Sequence, residues 1–129
     1  MLTEHLVAAA REAAEMAYAP YSRYKVGAAL LTTGGRLFTG ANIENASYGM
    51  TICAERVAVF SAVMAGERQF EALAVTSSGR KEVTPCGACL QVLAEFAPGI
   101  RVITSDAQGE LNEYTLKDLL PRAFSLPAE

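Results

Sequence analysis

Basic clusters, long apolar runs, histidine and cysteine are all scarce in this 129-residue chain. Its 11 Lys and Arg stand against 14 Asp and Glu, for a net charge of −3, and no basic run stands out. Nucleic acid is normally gripped through a stripe of cations that displaces counterions from the phosphates, so no nucleic-acid partner is expected. No apolar stretch approaches the ~20 residues that span a bilayer, so no membrane partner is expected either. Met1-Leu2-Thr3-Glu4-His5 lacks the charged-then-apolar order of a secretory leader, which predicts a cytoplasmic protein. Three cysteines are an odd number, a poor basis for a disulfide framework. In a reducing compartment thiols serve instead as metal ligands, nucleophiles or core filler. His5 is the only histidine; it lies in the first predicted helix, far from every cysteine, and reads as a surface or packing residue.

What the chain does have is apolar mass. Its 51% hydrophobic and 19% charged residues can fill a core and do not describe a disordered tail. The length suits a single domain over residues 1–129. The apolar share also leaves surface for other subunits to cover.

Helical and strand patterns alternate. Residues 3–17 read as an amphipathic helix, with Leu6, Ala9, Ala10, Ala13 and Ala17 on one face and Arg11, Glu12 and Glu15 away from it. Thr3 is placed to cap it, and Ala19-Pro20-Tyr21-Ser22 breaks it. Strands are predicted over Tyr24–Thr32 and Leu37–Asn42, joined by the hairpin signal Thr33-Gly34-Gly35-Arg36. A second helix is predicted from Ile52 to Ala65, stopping at Gly66. Leu73–Thr76 and Ile100–Thr104 read as buried strands. Between them Thr84-Pro85 opens a third helix, with Pro at its first position and Pro98-Gly99 beyond its end. Thr115-Leu116-Lys117-Asp118 resembles a helix-opening box before a short helix closed by Pro121. Strands separated by helices predict a mixed sheet with helices on its faces, the first two strands antiparallel and the later ones parallel.

Chemistry concentrates at two predicted helix starts. Cys86-Gly87-Ala88-Cys89 places two thiols on one side of a helix, where they can grip a metal ion or close a redox disulfide. Taken alone the pair fits both. Cys53 opens the other helix, and helix N-termini favour thiolates. Three protein ligands leave a fourth position for water, the mark of catalytic rather than structural zinc. Glu55, two residues on, supplies a carboxylate to move that water's proton. Residues two apart on a helix point to nearly opposite sides, so Cys53 and Glu55 converge only if the site lies just beyond the helix end. Three thiolates leave the metal centre net negative. Helix dipoles and Arg56, donating to a ligand sulfur, are expected to compensate.

Cys53-Ala54-Glu55 followed by Pro85-Cys86-Gly87-Ala88-Cys89 resembles the signature of the zinc deaminases, in its three-cysteine form. Ala19-Pro20-Tyr21-Ser22, Val26-Gly27-Ala28-Ala29, Gly40-Ala41-Asn42-Ile43-Glu44-Asn45-Ala46 and Leu119-Leu120-Pro121-Arg122-Ala123-Phe124 extend the likeness over almost the whole chain. They are similar to the small, homotetrameric cytidine deaminases that act on free nucleosides. The resemblance implies a three-layer α/β/α fold with a mixed, mostly parallel central sheet, and one zinc ion per subunit. It implies hydrolysis of cytidine and 2′-deoxycytidine to uridine and 2′-deoxyuridine with release of ammonia, as in pyrimidine salvage. It makes Glu55 the proton shuttle, and gives Asn42 and Glu44 the ribose hydroxyls. The Ala54 backbone would contact the pyrimidine edge. Tyr24 would line the pocket where the family commonly has Phe, and Tyr48 and Phe124 would reach into a neighbouring subunit's site. Three rivals remain at this level: a blasticidin-type deaminase, a polynucleotide editor, and a structural-zinc or thiol-redox module without hydrolysis.

Overall fold

The computed structural model describes residues 1–78, 82–105 and 108–127. Helix α1 (Thr3–Ala14) buries Leu6, Val7 and Ala10. Strands β1 (Val26–Thr32) and β2 (Leu37–Ala41) form the expected antiparallel hairpin, with Gly27 opposite Ala41. Then follow α2 (Ala54–Met64), β3 (Phe70–Ser77), α3 (Gly87–Phe96), β4 (Arg101–Ser105), β5 (Leu111–Thr115) and the short α4 (Leu116–Leu119). Among the described residues no helix is long and apolar enough to cross a membrane.

The five strands form one sheet in the order β2-β1-β3-β4-β5. It is mixed, as expected, but not mostly parallel. Only β3 and β4 are parallel neighbours; β1 lies antiparallel to both β2 and β3, and β5 antiparallel to β4. Helix α2 does link two strands of the same direction, β2 and β3, but β1 is inserted between them. A helical link fixes strand direction without making the strands adjacent. The sequence reading missed β5 because Leu111, Asn112 and Glu113 are all exposed, so this edge strand has no alternating buried face.

Helices cover both faces. Leu6, Val7 and Ala10 of α1 pack with Ala29, Leu31, Ala72, Ala74 and Ile103 on one side. Ala58 and Val59 of α2, with Leu90 and Leu93 of α3, pack on Ala28, Leu30, Leu73 and Val75 on the other. Two strand glycines bring the helices this close. A Cβ on Gly27 would stand 1.9 Å from the Ala10 carbonyl oxygen of α1, and one on Gly40 2.5 Å from the Ala54 carbonyl oxygen of α2. Any side chain at either position would push a helix off the sheet.

Several end positions differ from the reading above, three of them near helix ends that matter for the site. Helix α1 stops at Ala14 because the chain beyond it leaves to pair with the end of β2. Tyr18 N–H donates to the Asn42 carbonyl at 3.0 Å, and its own carbonyl accepts from Glu44 N–H at 2.8 Å. Thr3 is the first helical residue and not the cap; Leu2 holds that place without a side-chain bond. Pro85 lies outside α3, whose first helical bond runs from Leu90 N–H to the Cys86 carbonyl at 2.9 Å. The Thr115–Asp118 capping box forms as expected.

Candidate active site

Two helix starts meet at one end of the sheet. Cys53 is the N-cap of α2 and Cys86 the N-cap of α3, both in extended backbone, while Cys89 is buried in the first turn of α3. The sulfurs of Cys53 and Cys86 are 3.9 Å apart, those of Cys86 and Cys89 3.5 Å, and all three lie within 4.8 Å of one another. Zn–S bonds of ~2.3 Å in a tetrahedron put sulfurs ~3.8 Å apart, so the three thiols fit one zinc ion. A disulfide would need ~2.05 Å and two of the three, and every thiol here is free. Soft sulfur donors also select against calcium or magnesium. Among the described residues no His, Asp or Glu joins this group. His5 is exposed on α1, on the other face of the sheet.

The charges around the thiols are uneven. Sharing a proton with Cys89 holds the Cys53 thiol down to about 5, and Arg56 assists; burial opposes both. The Arg56 guanidinium donates to the Cys53 sulfur at 3.3 Å. Its Nε is buried with no hydrogen-bond partner. The Cys89 thiol is pushed up by its bond to Cys53 and by burial. A metal ion binds thiols by displacing their protons.

Glu55 stands in the first turn of α2 and is only 4% exposed. Burial pushes its carboxyl up to about 7, near the neutral range that suits a group passing protons in both directions. Because Cys53 caps the helix in extended backbone, it and Glu55 can both face the space beyond the helix end. The geometric demand made by their spacing is met.

That space is a cavity of about 260 Å³ whose wall includes Tyr24, Asn42, Glu44, Cys53, Ala54, Glu55 and Cys86. Opposite the thiols, side chains hold the loop that carries Tyr24. Glu44 Oε1 accepts from the N–H groups of Tyr21 at 2.9 Å and Ser22 at 3.1 Å, while Oε2 accepts from the Ser22 hydroxyl. The Ser22 hydroxyl bond, the larger cause, and the two N–H donors keep the Glu44 carboxyl below its ordinary range. The Asn42 amide donates to the Tyr24 carbonyl at 2.9 Å and accepts from Val26 N–H at 2.8 Å. The Tyr24 hydroxyl donates to Ser77 Oγ at 2.9 Å.

Tyr48 is outside this cavity. It borders an adjoining hollow of about 340 Å³ with Tyr21 and Glu44, and its ring meets Tyr21 edge-on at 6.0 Å. Phe124 lies apart from both, 69% exposed, its backbone clasped by the Gln91 side chain through bonds of 2.7 and 3.1 Å. Sequence reasoning missed Ser22, Thr51, Val83 and Thr84 on the cavity wall. Of these, Ser22 lay in the Ala19-Pro20-Tyr21-Ser22 motif and Thr84 in the Thr84-Pro85 helix signal.

The family described as the cytidine and deoxycytidylate deaminase zinc-binding region matches residues 2–105. A cytidine deaminase of Sporosarcina psychrophila is 50% identical over 126 residues, covering 97% of this chain and 93% of that one. One of Halalkalibacterium halodurans is 50% identical over 121 residues, covering 93% and 92%. Among solved structures, the cytidine deaminase from Burkholderia pseudomallei superposes with a TM-score of 0.92 at 49% identity, covering 96% of this chain and 100% of that one.

Proposed function

The chain belongs to the zinc-binding cytidine and deoxycytidylate deaminase family, and on that footing we propose that it hydrolyses free cytidine and 2′-deoxycytidine to the uridine nucleosides and ammonia. The observation that carries this reading is the meeting, on one cavity, of three thiols at zinc spacing and the buried carboxyl of Glu55.

Cys53, Cys86 and Cys89 hold the one zinc ion of each subunit. When bound, zinc supplies water of lowered pKa at the open position. Glu55 takes a proton from the attacking water and delivers it to N3 of the pyrimidine as the oxygen bonds to C4; it then takes the proton of the new C4 hydroxyl and hands it to the amine as the C4–N bond breaks and ammonia leaves. Arg56 neutralises part of the thiolate charge through Cys53. Asn42 and Glu44 hold the ribose hydroxyls: each has acceptor capacity left beyond its bonds to the loop. The Ala54 backbone meets the pyrimidine edge, and Tyr24 walls the base.

The functional unit is a homotetramer of single-domain chains, each spanning residues 1–129, with Tyr48 and Phe124 entering a neighbour's site. Their 75% and 69% exposure as large aromatics supports this. The enzyme serves pyrimidine salvage in the cytoplasm, with a small nucleoside as substrate and neither nucleic acid nor membrane as partner. A zinc assay combined with uridine formation from cytidine tests the reading; purified protein with zinc but no ammonia release would leave a structural site instead. Blasticidin S and single-stranded DNA as parallel substrates separate the two remaining rivals.

A further inference from the structure

We propose that Glu82 is a positioning residue that anchors the segment carrying Cys86 to the far edge of the sheet, and so sets where that thiol stands in the metal centre. The inference rests on the metal-site reading above. The three ligands are held in different ways. Cys89 is buried within α3. Cys53 follows Ile52, which is paired with Ile43 by two backbone bonds of 3.0 Å. Cys86 is the exposed member, joined to β3 by a connection without regular structure in its described part. Burial therefore does little to place its side chain, and the start of α3 supports it from one side only.

Glu82 supplies the missing constraint. One carboxylate oxygen accepts from the Thr104 hydroxyl of β4 and from the Asn112 amide of β5 at 2.6 Å; the other accepts from the Tyr114 hydroxyl of β5 at 2.9 Å. Thr104 is fully buried, so its hydroxyl needs an acceptor. Hydrogen bonds to an ionised carboxylate are roughly twice as strong as neutral ones, and here they converge from two strands. From this fixed point the chain has only Val83, Thr84 and buried Pro85 before Cys86. Val83 packs against the main core, and Val83 and Thr84 line the cavity. The same tether thus shapes one ligand and one wall.

The test is the rate at which a chelator strips zinc from the loaded enzyme. Glu82→Ala should release zinc ~10-fold faster than wild type, the low end for partners that orient metal ligands. Glu82→Gln, which keeps the length and one acceptor, should fall between. Val102→Ala, a core change in β4 chosen for its stability loss, is the control and should release zinc at the wild-type rate. Should Glu82→Ala fail to fold, Tyr114→Phe removes one donor at the edge and should still speed release ~3-fold. Release from Glu82→Ala at the wild-type rate, or no faster than from Val102→Ala, overturns the anchor. A wild-type chain that holds no zinc overturns the metal-site reading itself.

Discussion

At the thiol end of the cavity the functional groups are delivered by regular structure, Cys53 and Glu55 by the start of α2, Cys86 and Cys89 by the start of α3. At the opposite end, residues 21–25 belong to no helix or strand. There Glu44, Asn42, Ser22, Ser77 and Ser78 hold the chain through their side chains. Arg23 within this loop adopts a φ of 59°, a left-handed conformation that costs a residue with a Cβ roughly 1 kcal/mol. The loop is over-determined by its side-chain bonds and can carry that cost. The difference teaches that chemistry and recognition have separate supports here: a change at the thiol end should act on turnover, and one at the loop end on substrate binding.

The largest expected effect tests the first half of that division. Glu55→Gln keeps shape and removes the proton carrier, so kcat should fall by roughly 10²–10⁴ while zinc content and KM stay near wild type. Normal turnover in this variant would take Glu55 out of the reaction. A matching change at the other end is Glu44→Gln. It weakens three charge-assisted bonds to Tyr21 and Ser22 as well as the proposed contact with the sugar. We expect kcat/KM to fall ~10–100-fold, mostly through KM, as bonds that depend on the carboxylate's charge weaken. A fall confined to kcat would break the division between the two ends.

The two ends also differ in how far the sequence discloses them. Thiols and a carboxylate at helix starts are visible because metal chemistry restricts residue type, and hairpin, caps and buried strands locate the helices. The order of the sheet was not visible, because a helical link does not say whether a third strand lies between its ends. Edge strand β5 was hidden by its exposed residues. Asn42 and Glu44 stood out through family resemblance alone; nothing in the residues around them reveals that both spend side-chain groups on a loop some 20 positions earlier. The Glu82 tether was equally hidden, since its donors on β4 and β5 lie 22 to 32 residues away. Contacts of that separation appear only once the topology is known.

Ser22→Ala gives a smaller effect with a definite sign. The Ser22 hydroxyl is the main group holding the Glu44 carboxyl below its ordinary range. A depressed carboxyl stays ionised, and able to accept from sugar hydroxyls, to lower pH. Removing the hydroxyl should move the acid limb of the kcat/KM profile upward, by less than about one pH unit for a single lost hydrogen bond. The plateau above pH 7 should hardly change. An acid limb that does not move, or moves down, would mean that Glu44 ionisation does not govern binding.

The smallest effect we expect is at Tyr24, where the two ends come nearest to sharing a residue. Its ring faces the cavity that Cys53 and Glu55 line, but its backbone and hydroxyl are held by Asn42, Ser22 and Ser77. If the hydroxyl only steadies the ring, Tyr24→Phe should raise KM for cytidine ~2–5-fold and leave kcat alone, as expected for one exposed neutral hydrogen bond of ~0.5–1 kcal/mol. Ser77→Ala should do the same, and the double variant should be no worse than either single one, since both remove one bond. Additive losses would show that the two side chains act separately. A fall in kcat would place the Tyr24 hydroxyl among the groups that act on the base, and the boundary between the two ends would have to be drawn on the other side of this ring.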